Sequence, residues 1–195
     1  MIALSSISVA FADGTHPAVD PKDQAIIDCT QAIANNSNDA VAYYKRGKAY
    51  EGKGQYDDDI SDLTKAIEIN PNYAAAYLSR GYIYSNKKNQ PDLAFDDYNK
   101  AVIANPNYAY AYNDRGYMYL KKGHYDLAIQ DFDKAIELNP KYINPYFNKG
   151  MAYEKQQQYQ EAIDTYKSLL INISPQETQS IEKAKNRIIS LGGTV

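Results

Sequence analysis

The sequence lacks the features that are typical of disulfide frameworks, nucleic-acid binding and membrane insertion. Cys29 is the single cysteine, so no disulfide can form within the chain. Lys and Arg occur singly or in pairs without any longer basic run, and the formal net charge is only -3, whereas nucleic-acid binding usually needs a basic stripe. The apolar run from Ile2 to Phe11 is far too short to span a membrane as a helix. We therefore expect no nucleic-acid partner and no transmembrane segment.

Catalytic motifs are also missing. His16 falls in a predicted linker and His124 in a predicted turn, and neither has the spacing of a metal site. The sequence contains no G-x-x-x-x-G-K-[ST] loop and no G-x-S-x-G elbow. The acidic clusters Asp57-Asp58-Asp59 and Asp96-Asp97 are interpreted as charges at helix starts and on a solvated face. These observations predict a protein that is not an enzyme and has no cofactor or metal.

Tyrosine is the abundant aromatic residue. The chain has 20 Tyr, 4 Phe and no Trp, with 44% hydrophobic and 23% charged residues. This composition supports a buried core. Tyr combines apolar bulk with a polar tip, so it suits half-buried positions and binding surfaces.

The N-terminal residues leave two alternatives open. The apolar run ends in Ala10-Phe11-Ala12 before Asp13, which resembles a signal-peptide cleavage site, but no Lys or Arg precedes the run. If residues 1–12 are a cleaved signal, we expect an exported protein, either periplasmic or secreted. If they are an ordinary flexible N-terminus, we expect a cytoplasmic one. Residues 1–22 are thus assigned to this segment and a linker.

The rest of the chain is periodic. Gly47, Gly81, Gly116 and Gly150 are separated by 34, 35 and 34 residues, by subtraction of their numbers. Tyr residues keep the same steps, and Asn-Pro or Ser-Pro pairs close the units. A period between roughly 20 and 50 residues predicts a solenoid or repeat array.

Each unit is predicted to contain two helices. In the third unit, apolar residues at helical spacing predict a first helix over 109–122, and Gly123 interrupts it. The second helix is predicted over 125–138, where the Asn-Pro pair ends it, because proline lacks an N–H and restricts the residue before it.

This pattern resembles the tetratricopeptide repeat (TPR), a helix–turn–helix unit of 34 residues. The marks of the family in the third unit are Gly116, Tyr119, Ala128, Phe132, Ala135 and Pro140. The first unit departs from the pattern at Asp59 and the fourth at Leu169, where the family usually has Ala. The resemblance implies an all-α fold, a right-handed α-solenoid.

The resemblance also implies the organisation of the chain. The solenoid covers 23–191, with a half-repeat at 23–36, repeats at about 40–71, 74–106, 109–140 and 143–174, a capping helix at 175–191, and a tail at 192–195. Cys29 is predicted to be a core residue of the half-repeat. In the capping helix, Ile181, Ala184, Ile188 and Ile189 are predicted to share one apolar face.

In TPR proteins, one stripe of the first helices lines the concave face and binds peptide segments of partners. Here the stripe mixes aromatic and apolar side chains with amides, which favours a binding site over a merely solvated face. The candidate peptide-binding residues are Tyr44, Lys45, Lys48, Leu78, Ser79, Tyr82, Tyr110, Asn113, Asp114, Tyr117, Phe147, Asn148 and Met151. We expect Asn113, Asn144 and Asn148 to contact the ligand backbone. The alternative for Tyr82 and Tyr117 is packing between neighbouring first helices.

One TPR subfamily clamps the C-terminal dicarboxylate of chaperones with Lys, Asn and Arg residues. Those positions here hold Tyr44 with Lys48, then Ser79, then Tyr110 with Asp114. The clamp is absent, and Asp114 would repel a carboxylate, so we do not expect a chaperone-tail receptor. The function predicted is a non-catalytic adaptor for a protein or peptide partner. The alternative is a structural or self-associating scaffold component of a larger assembly, either at the cell envelope or elsewhere.

Overall fold

The computed structural model describes residues 19–195, and this range contains ten α-helices and no strand. The predicted signal segment, residues 1–12, and His16 lie outside the described residues. The helices are α1 (Pro21–Asn35), α2 (Ala40–Gly52), α3 (Tyr56–Ile69), α4 (Ala74–Asn86), α5 (Pro91–Ala104), α6 (Ala109–Lys121), α7 (Tyr125–Leu138), α8 (Ile143–Lys155), α9 (Tyr159–Asn172) and α10 (Thr178–Ser190).

Helices pack mainly on their neighbours in sequence. The pairs α2/α3, α4/α5, α6/α7 and α8/α9 form four helical hairpins, and α1 and α10 pack on the two ends of the series. The first helices α6 and α8 also touch each other. Because each hairpin contacts only the adjacent ones, the core is a row of small clusters, as in a solenoid.

Each hairpin is closed by a glycine of the first helix and a bulky group of the second. A Cβ on Gly81 would lie 2.8 Å from the ring of Tyr98, and one on Gly116 would lie 2.8 Å from the ring of Phe132. On Gly150 the distance to the Tyr166 ring would be 2.3 Å. An L side chain therefore cannot occupy these positions unless the ring moves.

The first hairpin uses a carboxylate in place of the ring. Leu63 stands where the other hairpins have an aromatic residue, and Oδ1 of Asp59 lies only 2.6 Å from where a Cβ on Gly47 would be. Asp59 is completely buried. The prediction of a solvated face is therefore wrong for Asp59, because the smaller Leu63 leaves a space that its carboxylate fills.

Three partly buried ion pairs repeat along the solenoid, and the sequence interpretation missed them. Each joins an arginine of a first helix to an aspartate of the following helix through two hydrogen bonds. The pairs are Arg46–Asp62 at 2.7 Å, Arg80–Asp97 at 2.8 Å and Arg115–Asp131 at 2.6 Å. Asp97 is only 2% exposed, so the solvated interpretation of Asp96-Asp97 is wrong for its second member.

The helix-ending asparagines form turns of their own. The side-chain oxygens of Asn70, Asn105 and Asn139 accept hydrogen bonds from the backbone N–H two residues further on, at 3.1, 3.0 and 3.2 Å. Asparagine thus supplies the turn, while the proline after it prevents the helix from continuing. Gly123 has φ of 79°, which an L side chain rarely adopts, and it reverses the chain between α6 and α7.

The two end helices differ from their predicted packing at one residue each. Cys29 is half buried, not part of a core, because α1 contacts only one side of the solenoid; burial raises the pKa of its thiol. In α10, Ala184 and Ile188 are buried but Ile189 is 61% exposed. No helix among residues 19–195 is both long enough and apolar enough to cross a membrane.

Candidate peptide-binding groove

A groove of about 560 Å³ runs along the first helices α4, α6 and α8 and ends at α10. Side chains of the second helices α5 and α9 also reach it. Its lining residues are Tyr82, Ser85, Asn86, Tyr98, Asn113, Asp114, Tyr117, Met118, Asn144, Phe147, Asn148, Met151, Tyr166, Lys183 and Arg187.

The groove contains about half of the predicted peptide-binding residues. Those that line it are Tyr82, Asn113, Asp114, Tyr117, Phe147, Asn148 and Met151. Those that lie outside it are Tyr44, Lys45, Lys48, Leu78, Ser79 and Tyr110. The groove therefore belongs to the second, third and fourth hairpins and the capping helix, and the first hairpin does not contribute to it.

Other tyrosines, which lie outside the groove, pack against one another in pairs. The rings of Tyr44 and Tyr73 are 5.0 Å apart, those of Tyr108 and Tyr110 5.9 Å, and those of Tyr110 and Tyr142 4.7 Å. These distances are typical of packed aromatic pairs. Tyr44 and Tyr110 thus contact residues at the starts of neighbouring first helices.

Two tyrosines present open aromatic surface in the groove. Tyr82 is 42% exposed and Tyr117 is 39% exposed. The alternative that these two rings are packed away between first helices does not hold. The half-buried Met151 lines the same groove.

Phe147 supports the wall of the groove more than it offers a contact surface. It is 9% exposed, and its ring lies 5.8 Å from the ring of Tyr166. The Lys183 ammonium lies over the Phe147 ring, 4.4 Å from its centre. Phe147, a candidate peptide-binding residue in the sequence, thus lines the groove but is largely covered by α9 and α10.

Asn113 also acts within the protein. Its side chain is 4% exposed and accepts a hydrogen bond from Nδ2 of Asn148 at 3.0 Å. Its own Nδ2 donates to Oδ1 of Asp114 at 2.9 Å. Both the oxygen and the nitrogen of the Asn113 amide are thus hydrogen-bonded within the protein. This contradicts the expectation that the amide is free to bind the backbone of a ligand. The side-chain oxygens of Asn144 and Asn148 remain for that role, since the amide nitrogens of these residues are hydrogen-bonded to Tyr142 and Asn113.

Asp114 lines the groove from α6, the middle one of its three first helices, which places it near the centre. Burial raises the pKa of its carboxyl to about 6, and the hydrogen bond from Asn113 works in the opposite direction. Burial, followed by the negative charge of Asp114, raises the pKa of the Tyr98 and Tyr142 phenols. The site therefore combines a carboxylate with neutral phenols in a partly dry environment.

The capping helix supplies the positive end of the groove. Arg187 pairs with Glu154 of α8, and Glu154 also accepts a hydrogen bond from the Tyr166 hydroxyl at 2.7 Å. Sequence reasoning treated α10 only as a cap. The four-residue spacing of Lys183 and Arg187 places both on one helix face and was the available signal.

These hairpins and their groove define a helical-repeat protein whose inner surface is open to a ligand. Tetratricopeptide-repeat models match residues 40–73, 63–95, 109–142 and 132–164, which together cover more than half of the chain. The chain belongs to the tetratricopeptide-repeat family. No match was found among the sequences of curated proteins.

Solved structures agree with this assignment. The crystal structure of MamA protein is 26% identical, with 87% of this chain and 85% of that chain covered and a TM-score of 0.66. YrrB, described as a TPR protein with an unusual peptide-binding site, is 22% identical, with 84% of each chain covered and a TM-score of 0.66. PilW, a type IV pilus biogenesis factor, is 17% identical, with 86% and 78% covered and a TM-score of 0.68. The last two show the fold alone. The family is one of protein-interaction modules, so the chain has an adaptor or scaffold role.

Proposed function

We propose that the protein is a non-catalytic adaptor that holds an extended or helical segment of a partner protein in the groove. The apolar side chains of the segment contact Tyr82, Tyr117 and Met151. The backbone N–H groups of the segment donate hydrogen bonds to the side-chain oxygens of Asn144 and Asn148. The peptide-binding site named for YrrB, on a similar fold, supports such a role.

The observation that carries this proposal is the exposure of Tyr82 and Tyr117 in a concave surface. Large aromatic rings that stay exposed to solvent in one groove are typical of recognition sites. Within residues 19–195, no cluster of His, Cys, Asp or Glu could hold a metal ion. TPR proteins are generally non-catalytic interaction modules, which favours an adaptor.

The test is affinity capture from the native organism with three baits. The wild type should recover a partner that the Tyr82→Ala/Tyr117→Ala variant recovers poorly. Tyr159→Ala is the matched control, because Tyr159 is 50% exposed but lies outside the groove. Circular dichroism should show unchanged helicity for all three. Equal recovery by the groove variant and the wild type would overturn the proposal.

The second candidate, a self-associating scaffold, is less favoured, since the groove provides a surface for a different chain. Light scattering across a range of protein concentrations separates the two. A mass that stays monomeric rules out self-association, and a mass that rises with concentration supports it.

We also propose that residues 1–12 direct export. The support is the apolar run ending in Ala10-Phe11-Ala12. N-terminal sequencing of the mature protein tests it: a start at Asp13 is expected, and an intact Met1 would contradict export by this segment.

A further inference from the structure

We infer that the groove recognises its partner segment through one Lys or Arg side chain, which passes the open rings of Tyr82 and Tyr117 and pairs with Asp114. This inference rests on the proposed function, because it specifies what the peptide in the groove must carry.

Asp114 differs from the other inward-facing aspartates of hairpins two and three in having no cation beside it. Asp97 and Asp131 are each held by two hydrogen bonds from an arginine. No Lys or Arg in the described range forms a salt bridge with Asp114. It receives one hydrogen bond, from the neutral amide of Asn113. A carboxylate that is largely removed from water is stabilised when a cation pairs with it.

The surroundings of Asp114 suit a cationic side chain. Tyr82, Tyr98 and Tyr117 line the same groove, and aromatic faces attract Lys and Arg cations. The aliphatic stem of Lys or Arg can pack along Tyr82 and Tyr117 while its charged end reaches the carboxylate.

Charge is distributed along the groove with a clear polarity. Among the lining residues, the positive groups lie at the capping end: Arg187 is paired with Glu154, and Lys183 lies over the Phe147 ring. Lys121, which does not line the groove, lies over the Tyr117 ring, 5.6 Å from its centre. The centre therefore carries the negative charge of Asp114. A carboxylate of a partner would be repelled from the centre, and a cation would be attracted to it. The side chain of the partner segment that pairs with Asp114 is therefore a Lys or an Arg.

The inference predicts how pH affects binding. Only the ionised form of Asp114 attracts a cation, and the pKa of Asp114 in the protein without peptide is about 6. Binding should therefore be intact at pH 7.5 and weaken as the pH falls through 6. At pH 5 about a tenth of the carboxyl remains ionised, so affinity should drop about tenfold.

The other groups around Asp114 do not produce this titration. The facing groups on α4, α5 and α6 and before α6 and α8 are phenols: Tyr82, Tyr98, Tyr117, Tyr108 and Tyr142. Burial raises the pKa of Tyr98, Tyr108 and Tyr142, so these phenols stay neutral at both pH values. Asn113 and Asn148 do not titrate. The hydrogen bond with Glu154 raises the pKa of Arg187, which stays positive between pH 5 and 7.5.

The experiment selects peptides from a randomised phage-displayed library of about twelve residues, roughly 40 Å when extended. The baits are the full-length wild type, Asp114→Asn and Asp92→Asn. Asn at 114 keeps the size and can still accept the bond from Asn113. Asp92→Asn makes the same charge change at a side chain that is 90% exposed and outside the groove. Selected peptides are then synthesised and titrated by fluorescence anisotropy at pH 7.5 and pH 5.

The wild type and Asp92→Asn should enrich peptides with Lys or Arg at one fixed position among apolar residues. Asp114→Asn should bind these peptides about tenfold to a hundredfold more weakly and without the loss at pH 5. Enrichment of peptides that lack a basic residue, or that carry an acidic one for Lys183, would overturn the basic anchor while leaving the peptide-binding function in place. No enrichment over uncoated beads would overturn both.

Discussion

Asp59→Ala is predicted to stabilise the protein at neutral and alkaline pH. Asp59 is completely buried on α3, and neither of its carboxylate oxygens has a hydrogen-bond partner among the described residues. The other three hairpins have Ala94, Ala128 and Ala162 at this place, all completely buried. The first hairpin therefore contains an unpaired carboxyl at a position built for a methyl group.

The magnitude follows from the pKa of Asp59. Burial raises it from 3.8 to about 7, with Glu51 and Asp62 adding to the rise and Lys48 opposing it. The pKa of Asp59 is higher in the folded protein than in the unfolded chain. The free energy of unfolding therefore carries no penalty from Asp59 below about pH 4, and it falls as the pH rises through 7. A shift of this size corresponds to roughly 4 kcal/mol in the free energy of unfolding above pH 7.

The alanine variant removes this penalty but leaves a small cavity. Leu63 does not cover Gly47 as the rings cover the other glycines, so the cavity costs about 1 kcal/mol. We expect a net gain of about 2 to 3 kcal/mol at pH 8, which should shrink by a similar amount at pH 5. The double variant Asp59→Ala/Leu63→Phe, which restores the arrangement of the other hairpins, should gain more than Asp59→Ala alone.

Urea unfolding followed by circular dichroism at pH 5, 6, 7 and 8 measures these differences. Asp58→Ala is the control, since Asp58 is exposed on the same helix turn and should change little at any pH. The reasoning is refuted if Asp59→Ala is less stable than the wild type at pH 8, or if the difference between the two proteins does not depend on pH.

Two further predictions concern the packing of single hairpins, and urea unfolding tests both. Asp97→Ala should lower the free energy of unfolding by about 3 kcal/mol, because it leaves the largely buried Arg80 without its carboxylate. Arg80→Met/Asp97→Leu should stay near the wild type, and an equal loss in the double variant would contradict this. Gly150→Ala should cost about 1 to 3 kcal/mol, because its Cβ would fall 2.3 Å from the Tyr166 ring; a neutral effect would show that the ring moves freely.

The architecture could be predicted from the sequence because the repeat marks act locally. Gly116, Phe132 and Pro140 each determine a contact or a stop within one hairpin, and recurrence in four units makes the pattern unambiguous. The family matches confirm the TPR assignment. The identification of an adaptor role followed from the same marks.

The details of the groove could not be predicted in the same way, because they depend on contacts between units. Phe147 follows the spacing of a groove residue, yet α9 and α10 cover it. Hydrogen bonds to Asn148 and Asp114 occupy the side-chain amide of Asn113, which is then not available to a ligand. Lys183 enters the groove from the capping helix, which no within-repeat pattern describes. Asp59 is buried because Leu63, four residues later, is smaller than an aromatic ring.

The central claim, that the groove holds a partner segment, is tested most directly by photocrosslinking in the native organism. A photoreactive phenylalanine analogue would replace Tyr117 in one strain and Tyr159, outside the groove, in another. A partner protein crosslinked from position 117 and absent from position 159 is the predicted result. A partner crosslinked from position 159 with none from position 117 would contradict the claim.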